Sequence, residues 1–452
     1  MFVNDIICAP ATPFAVSALA VVRVSGNGAL DIFAENFSSF DRISHGRSVY
    51  GRLRNGSRVL DDVVLSYYKA PASFTGEDTV EVSCHGNPLI VKNIISFILS
   101  KGARMAEPGE FSRRSFINGK MDLTEAESVN TLICARSDWE IDSALSQMHG
   151  SLKNLINLLR DKLILVKADI ESAIDFSTEE IEFISRNEAL ERCGEISSDI
   201  KNILSRCVTG SKLSGGIDVP IVGKPNSGKS SLLNLILNSE RAIVSDIPGT
   251  TRDIIKETVQ FSGIHVNIYD TAGIRDTDCK IEKIGIEKSR DILSKSGISV
   301  VVLDALSGID EYDLEILRST EQGKRVVLLN KIDCAEAGIA ARLEKEIQCP
   351  LIEFSAVTGF NFDLFRNELS SAVRENASGC ENSFVADMRV ISILERASEA
   401  ADDLCGSIES GEPEEYMASN ASVLIEILSE VTGIISPDDV LNSIFNRFCI
   451  GK

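Results

Sequence analysis

The chain has 452 residues, of which 44% are hydrophobic and 25% charged, and a formal net charge of −21. That length exceeds what one hydrophobic core serves and points to about three domains. So acidic a balance argues against strong, self-sufficient binding to nucleic acid, which needs a basic footprint or a basic partner. One modest basic patch exists in Lys101, Arg104, Arg113, Arg114 and Lys120; a solvated face is the equal alternative. Residues 1–10 carry Asp5 and no basic residue before an apolar stretch, which does not read as a signal peptide. The longest apolar runs, such as residues 298–303, are far too short to span a bilayer. Eleven cysteines without a CxxC pair argue for reduced thiols in a cytoplasmic protein, not a disulfide framework or a zinc site.

Along the chain, residues 1–118 mix short strands and helices. Val21-Val22-Arg23-Val24 and Val63-Val64-Leu65-Ser66-Tyr67 read as strands bounded by Gly26 and Pro71. Residues 89–99, after Gly86-Asn87-Pro88, are apolar enough for a buried helix. From 119 to 214 the texture changes. Leu152, Leu155, Ile156, Leu159, Leu163, Val166, Ile170 and Ile174 keep helical spacing over several turns, which predicts a long amphipathic helix in a bundle. Residues 210–216 read as a Ser/Gly-rich linker. Residues 215–372 alternate apolar strands with helices, and Val300-Val301-Val302-Leu303 and Val326-Val327-Leu328-Leu329 have the unbroken apolar character of buried parallel strands. Helical periodicity returns over 373–452, at Ile391, Leu394, Ala397 and Ala401, then at Leu424, Ile427 and Leu428. The economical topology is one helical domain interrupted by an inserted α/β domain.

The inserted stretch carries chemistry. Gly223-Lys224-Pro225-Asn226-Ser227-Gly228-Lys229-Ser230 is a phosphate-binding loop, followed by Ser231. Glycines let backbone amides approach the phosphates. Lys229 brings charge to the β- and γ-phosphates, and Ser230 offers a hydroxyl to Mg²⁺ at a helix N-terminus. Downstream, Thr251 is placed to ligate Mg²⁺ when a γ-phosphate is present. Asp270-Thr271-Ala272-Gly273 supplies a carboxylate that holds Mg²⁺ through water and an amide for the γ-phosphate. Asn330-Lys331-Ile332-Asp333 selects guanine. The Asp333 carboxylate accepts from N1–H and the exocyclic amine, a donor pair that adenine lacks. Ser355-Ala356 would complete the base pocket. Four such motifs in order make a guanine-nucleotide hydrolase. Two departures from a Ras-like site stand out. Ile274 follows the Asp-Thr-Ala-Gly run where a water-orienting glutamine would sit, and neither Arg252 nor Arg275 is an evident arginine finger. Asn226 offers a neutral oxygen that could hold a monovalent cation beside the phosphates.

Outside those motifs, the chain resembles the MnmE (TrmE) family of tRNA-modification GTPases along essentially its whole length. The resemblance rests on Ser73-Phe74-Thr75-Gly76-Glu77-Asp78, Cys84-His85-Gly86, Pro108-Gly109-Glu110-Phe111-Ser112, Phe116-Ile117-Asn118-Gly119-Lys120-Met121-Asp122-Leu123 and the terminal Phe448-Cys449-Ile450-Gly451-Lys452. It implies an α/β + α architecture. An N-terminal folate-binding and dimerisation domain (1–118) precedes a discontinuous helical bundle (119–214 and 373–452). Into the bundle is inserted a Ras-like P-loop G domain (215–372) with a mostly parallel sheet. The resemblance also implies a homodimer whose G domains meet when GTP and K⁺ are bound. The K⁺ ligands would be Asn226, Ser245, Ile247 and Thr250, within the loop Ser245-Asp246-Ile247-Pro248-Gly249-Thr250 that borders the nucleotide. Glu282 would orient the attacking water. The family works with a flavoprotein of the MnmG (GidA) type, which carries FAD. Together they place an aminomethyl or carboxymethylaminomethyl group on C5 of the wobble uridine of certain tRNAs. The one-carbon donor is a 5-formyl- or methylene-tetrahydrofolate. The folate positions map to Arg23, Glu81, Lys120 and Lys452; Cys449 is a candidate nucleophile, with a packed terminal thiol as the alternative, and His85 reads as structural.

Two other classes fit parts of the pattern. A GTP-switched assembly factor would share the G domain but would normally carry a basic RNA-binding module. A folate-binding scaffold with a vestigial GTPase would not need Lys229, Ser230, Thr251, Asp270 and Asp333 intact.

Overall fold

The computed structural model describes residues 5–175, 185–239, 256–270, 296–320, 323–377, 382–435 and 438–451. They fall into two compact units, one of residues 1–133, 145–201 and 392–452, the other of 134–144 and 202–391.

The first unit contains a six-stranded sheet in the order β3-β4-β5-β2-β1-β6. Its strands are β1 (Ile7–Pro10), β2 (Leu19–Ser25), β3 (Ser48–Asn55), β4 (Arg58–Tyr68), β5 (Thr79–His85) and β6 (Arg104–Met105). Neighbours are antiparallel except β1 and β6. The expected strands at 21–24 and 63–67 are the middles of β2 and β4. Val22, Val24, Val63, Leu65, Val80 and Val82 alternate onto one face, where Val91, Ile94, Phe97 and Ile98 of the helix Pro88–Ser100 cover them. That helix starts where its sequence says it should. Asn87 accepts the Leu89 amide at 2.8 Å, and Pro88 sits at the first helical position, where its missing N–H costs nothing.

The same unit holds helices from both ends of the chain. Ser151–Asp175 buries Leu152, Ile156, Leu159, Leu163, Val166 and Ile170 at helical spacing. It packs along Glu414–Thr432. Lys162 reaches Asp199 at 2.9 Å, and Ser197 donates to Asp402 at 2.9 Å. These contacts join the helix Arg186–Ser214 to partners before and after it in the chain. The two helical stretches therefore make one bundle, the arrangement that economy of topology favoured. Among the described residues no helix is long and apolar enough to cross a membrane.

The linker expected at residues 210–216 is a correction. The helix Arg186–Ser214 runs through most of it, leaving Gly215 and Gly216 outside. Gly210 serves there as a close-approach residue. A Cβ at that position would lie 2.1 Å from the Phe384 carbonyl oxygen.

The second unit contains the sheet β12-β11-β10-β7-β9-β8. Its strands are β7 (Ile217–Val222), β8 (Lys256–Phe261), β9 (Ile264–Asp270), β10 (Ile298–Asp304), β11 (Lys324–Asn330) and β12 (Ile352–Glu353). All pairs are parallel except β8 with β9. The unbroken apolar runs serve two faces. Val300, Val302 and Leu328 meet Leu232 and Ile236 of the helix Lys229–Ser239 and Phe365, Leu369 and Val373 of Phe362–Asn376. Val301, Leu303, Val327 and Leu329 meet Leu317 of Glu311–Ser319 and Ala340 and Leu343 of Ile339–Ile347. Each fully buried Val or Leu contributes on the order of 2 kcal/mol, so both faces of the strands must be covered. Trp139 packs against the first of these clusters, and its amide donates to the Gly263 carbonyl at the β8–β9 turn (3.3 Å).

Candidate functional site

Strand order reverses at β7. Chain that leaves β7 goes one way to β9 and β8, then returns on the other side to β10, β11 and β12. In an open parallel sheet the crevice at the carboxyl ends of such strands is the natural ligand site. The phosphate loop leaves β7 at Val222, the Asn330–Asp333 segment leaves β11, and Ser355-Ala356 follows β12. Register aligns these ends: Val301 lies beside Val222, Asp304 beside Asn330 and Leu329 beside Glu353. The backbone of Asp270 lies beside Ile221, at the same end of the sheet.

The loop itself needs its glycines. Gly223 has φ +154°, and a Cβ there would sit 2.2 Å from the Val302 carbonyl oxygen. At Gly228, with φ +99°, it would lie 2.0 Å from Asn330 Nδ2. Asn226 takes the left-handed region at φ 61° and is exposed. Ser227 is fully buried. The Lys229 ammonium, nearly buried, donates to the carbonyls of Gly223 (2.9 Å) and Lys224 (2.5 Å), which hold it inside the ring of the loop. Ser230 and Ser231 begin the following helix with exposed faces.

Asn330 ties the phosphate loop to the segment that follows β12. Its Nδ2 donates to the Ser227 carbonyl at 2.7 Å, and its Oδ1 accepts the Ala356 amide at 2.9 Å. Lys331, at φ 67°, reaches Asp304 Oδ2 at 2.6 Å. Asp333 is exposed at the start of a short 3-10 turn. A hydrogen bond with Ser355, then one from the Cys334 thiol, hold its carboxyl below the ordinary value of 3.8. It is therefore ionised at neutral pH, the state that accepts hydrogen bonds. Ser355 is fully buried and fixed by its amide to Phe360 (3.3 Å).

Ser245, Asp246, Ile247, Pro248, Gly249, Thr250, Thr251, Arg252, Thr271, Ala272, Gly273, Ile274, Arg275, Glu282 and Lys452 lie outside the described residues.

In the first unit, the residues assigned to folate partly converge. Arg23 on β2 donates to Glu81 on β5 through Nε (3.0 Å) and Nη2 (2.8 Å), a pair set by direct cross-strand register. Nη1 reaches the Gly451 carbonyl at 3.4 Å. The guanidinium lies 5.5 Å from the Phe74 ring centre and 5.7 Å from that of Phe111, a cation–π cage that sequence reading missed. Lys120 is exposed and donates to the Pro71 carbonyl at 3.0 Å, so it meets the same 71–77 segment that carries Phe74. The chain end is anchored on β1: a Cβ at Gly451 would lie 2.3 Å from the Pro10 oxygen. Phe448 is buried with Phe445 and Leu123, while the Cys449 thiol is exposed. His85 is an exposed surface partner of Asp61 (2.8 Å).

Two of the five residues of the basic patch, Arg104 and Arg114, are paired with carboxylates. Arg104 binds Asp5 and both Glu110 oxygens (2.8 and 2.5 Å); Arg114 binds Asp5 (2.7 Å), Glu110 (2.9 Å) and Glu77 (3.2 Å). These guanidinium charges are spent on three carboxylates inside the unit. Sequence spacing hides this, because Asp5 and Glu77 are remote from the patch.

A profile of the MnmE helical domain matches residues 123–449, and one of the GTP-binding protein TrmE N-terminus matches residues 6–120. The chain belongs to the MnmE (TrmE) family. Similar members of that family are named tRNA modification GTPase MnmE. The one from Clostridioides difficile is 38% identical with 100% of both chains covered. That from Aquifex aeolicus is 38% identical with 99% of each covered. That from Thermotoga maritima is 37% identical over 99% of this chain and 100% of its own. Among solved structures, the G domain of the T. maritima FeoB iron transporter covers 35% of this chain and 98% of its own, at 24% identity and a TM-score of 0.27. Aquifex aeolicus Era bound to GDP and AlF4⁻ covers 40% and 66%, at 24% identity and a TM-score of 0.27.

Proposed function

We propose that this chain is a GTP hydrolase acting in tRNA modification. The observation that carries the reading is Asn330, which binds the phosphate loop and the base-reading loop into one pocket rim beside an ionised Asp333. Full-length likeness to proteins named tRNA modification GTPases supports the context. In this reading residues 215–372 hydrolyse GTP, 119–214 and 373–452 form the helical domain, and 1–118 bind folate and dimerise.

The loop amides and Lys229 bind the β- and γ-phosphates, and Asp333 with Ser355 and Ala356 reads guanine. Ser230, whose hydroxyl stands at an exposed helix start, suits Mg²⁺ with Thr251; Asn226, exposed beside the loop, suits K⁺ with Ser245, Ile247 and Thr250. When bound, these cations neutralise charge that develops on the transferring phosphoryl group. Glu282 orients the water in place of the glutamine that Ile274 displaces. The finer reading adds a homodimer and a flavoprotein partner of the MnmG type. With them the chain modifies C5 of a tRNA wobble uridine in the cytoplasm, using a tetrahydrofolate one-carbon unit held near Arg23, Glu81, Lys120 and Lys452. Cys449, whose thiol is exposed, is the candidate nucleophile of this reading. Arg23 suits a folate carboxylate and Glu81 the pterin amine, although the two now bind each other and must share or exchange partners.

The test is GTP turnover in K⁺ against Na⁺, with and without 5-formyltetrahydrofolate, on the parent and Asn226→Ala. A K⁺ gain lost in the variant supports the reading. Equal rates in both salts, in protein shown to be dimeric, remove the potassium assignment, and an absence of turnover in either salt removes the hydrolase.

A further inference from the structure

Lys224, the second residue of the phosphate loop, has a partner that sequence did not suggest. Its ammonium lies 2.9 Å from Asp310 Oδ2 and 2.5 Å from Asp313 Oδ2. Asp313 is 1% exposed, and its Oδ1 has no hydrogen-bond partner among the described residues. The two aspartates also cap the helix Glu311–Ser319 reciprocally: Asp310 accepts the Asp313 amide, and Asp313 accepts the Asp310 amide. A cation at a helix N-terminus is disfavoured by the helix dipole, so only the paired carboxylates can draw Lys224 there. A buried carboxylate without a counter-ion is costly in turn, so Asp313 and Lys224 each require the other. Burial alone would lower the Lys224 pKa, yet the two carboxylates more than offset it.

The backbone of the same lysine does a second thing. Its carbonyl, with that of Gly223, receives the Lys229 ammonium. A continuous chain therefore runs from Asp313 through the Lys224 side chain to the Lys224 carbonyl and on to Lys229. We propose that Asp313, with Asp310, is a positioning element for nucleotide binding, which fixes the first limb of the phosphate loop through Lys224 and so sets where Lys229 stands. This inference rests on the reading of the site as a guanine-nucleotide pocket. The ion pair anchors a loop that holds Asn226 in the left-handed region and Gly223 at φ +154°, conformations that a loose loop would leave.

The experiment uses the full chain with a fluorescent GDP analogue and steady-state GTP turnover. Lys224→Met and Asp313→Asn each weaken nucleotide binding about tenfold and raise KM more than they lower kcat. The double variant is no worse than either single, because both remove one interaction. Lys224→Arg, which keeps the charge, restores binding to within about twofold of the parent. Should Asp313→Asn fail to fold, Lys224→Met and Lys224→Arg carry the comparison alone. A role confined to capping the helix would lower the unfolding midpoint and leave nucleotide affinity unmoved. That result, or Lys224→Met binding like a nucleotide-binding parent, overturns the positioning role. A folded parent that binds no guanine nucleotide overturns the pocket reading itself.

Discussion

Asn330→Ala is the sharpest perturbation of the pocket, because the consequences can be worked from two bonds. The side chain is 2% exposed, donates to Ser227 O at 2.7 Å and accepts from Ala356 N at 2.9 Å. Each bond is worth about 1 kcal/mol net, and a buried backbone group left without its partner adds about 1–3 kcal/mol. Water admitted to the gap recovers part of that, so a loss of about 3 kcal/mol in the stability of this unit is expected. Trp139, the only tryptophan, packs against the core of the same unit, so its fluorescence in urea reports the transition. Guanine-nucleotide affinity should fall about 10- to 100-fold, since binding must also restore the register of two loops. Asn330→Asp separates bonding from volume. It keeps an acceptor for Ala356 but turns a carboxylate oxygen toward the Ser227 carbonyl, so it should be at least as damaging as alanine despite its near-identical shape. An aspartate variant that unfolds and binds like the parent would refute the reasoning.

Three further outcomes follow from particular contacts. Gly210→Ala should destabilise the second unit by about 1–2 kcal/mol in the same Trp139 assay. A helix gain of about 1 kcal/mol is outweighed by forcing a methyl to 2.1 Å from the Phe384 carbonyl; a higher midpoint would show that the close approach is not constraining. Asp333→Asn should move preference from guanosine toward xanthosine nucleotides, measured by competition binding, because the amide can donate to xanthine's second carbonyl; unchanged preference would remove Asp333 from base reading. Arg114→Met should carry a stability penalty that depends on pH. Burial alone raises Glu110 and Asp5, but their arginine partners, Arg104 foremost, bring both below their ordinary values of 4.5 and 3.8. Carboxylates depressed on folding add stability that is complete above the unfolded values and is lost as pH falls through the lower folded ones. The penalty should therefore be full above about pH 4.5 and shrink below it, and equal penalties at about pH 7 and about pH 3 would contradict the network.

What sequence made legible follows from how local each signal is. The Val300–Leu303 run reads as a buried parallel strand because both of its faces are covered, and the helix Ser151–Asp175 reads from one apolar stripe. The phosphate loop and Asp333 read because their chemistry sits in contiguous residues at strand ends. Residues 210–216 misled because Gly and Ser are loop formers by propensity, whereas Gly210 is chosen for a backbone contact with Phe384, more than 170 residues away. The basic patch hides some of its partners in the same way: Arg114 is answered by Asp5 and Glu77, remote in sequence, as well as by Glu110.

The same distinction explains where the supporting groups of this site lie. Motif residues such as Lys229 are visible because the nucleotide proposed for them would fix their spacing. The groups that hold them are selected only to meet a partner in space, as Asp313 meets Lys224 across 89 residues. Such a group can be of any carboxylate-bearing type, on any element that reaches, so it leaves no pattern in the chain. Burial is its signature instead. An aspartate 1% exposed with a lysine against it is costly unless the pair does something that an apolar pair could not. Here the lysine is also a backbone link in the phosphate loop, so the orientation of one ammonium fixes the carbonyl that holds another.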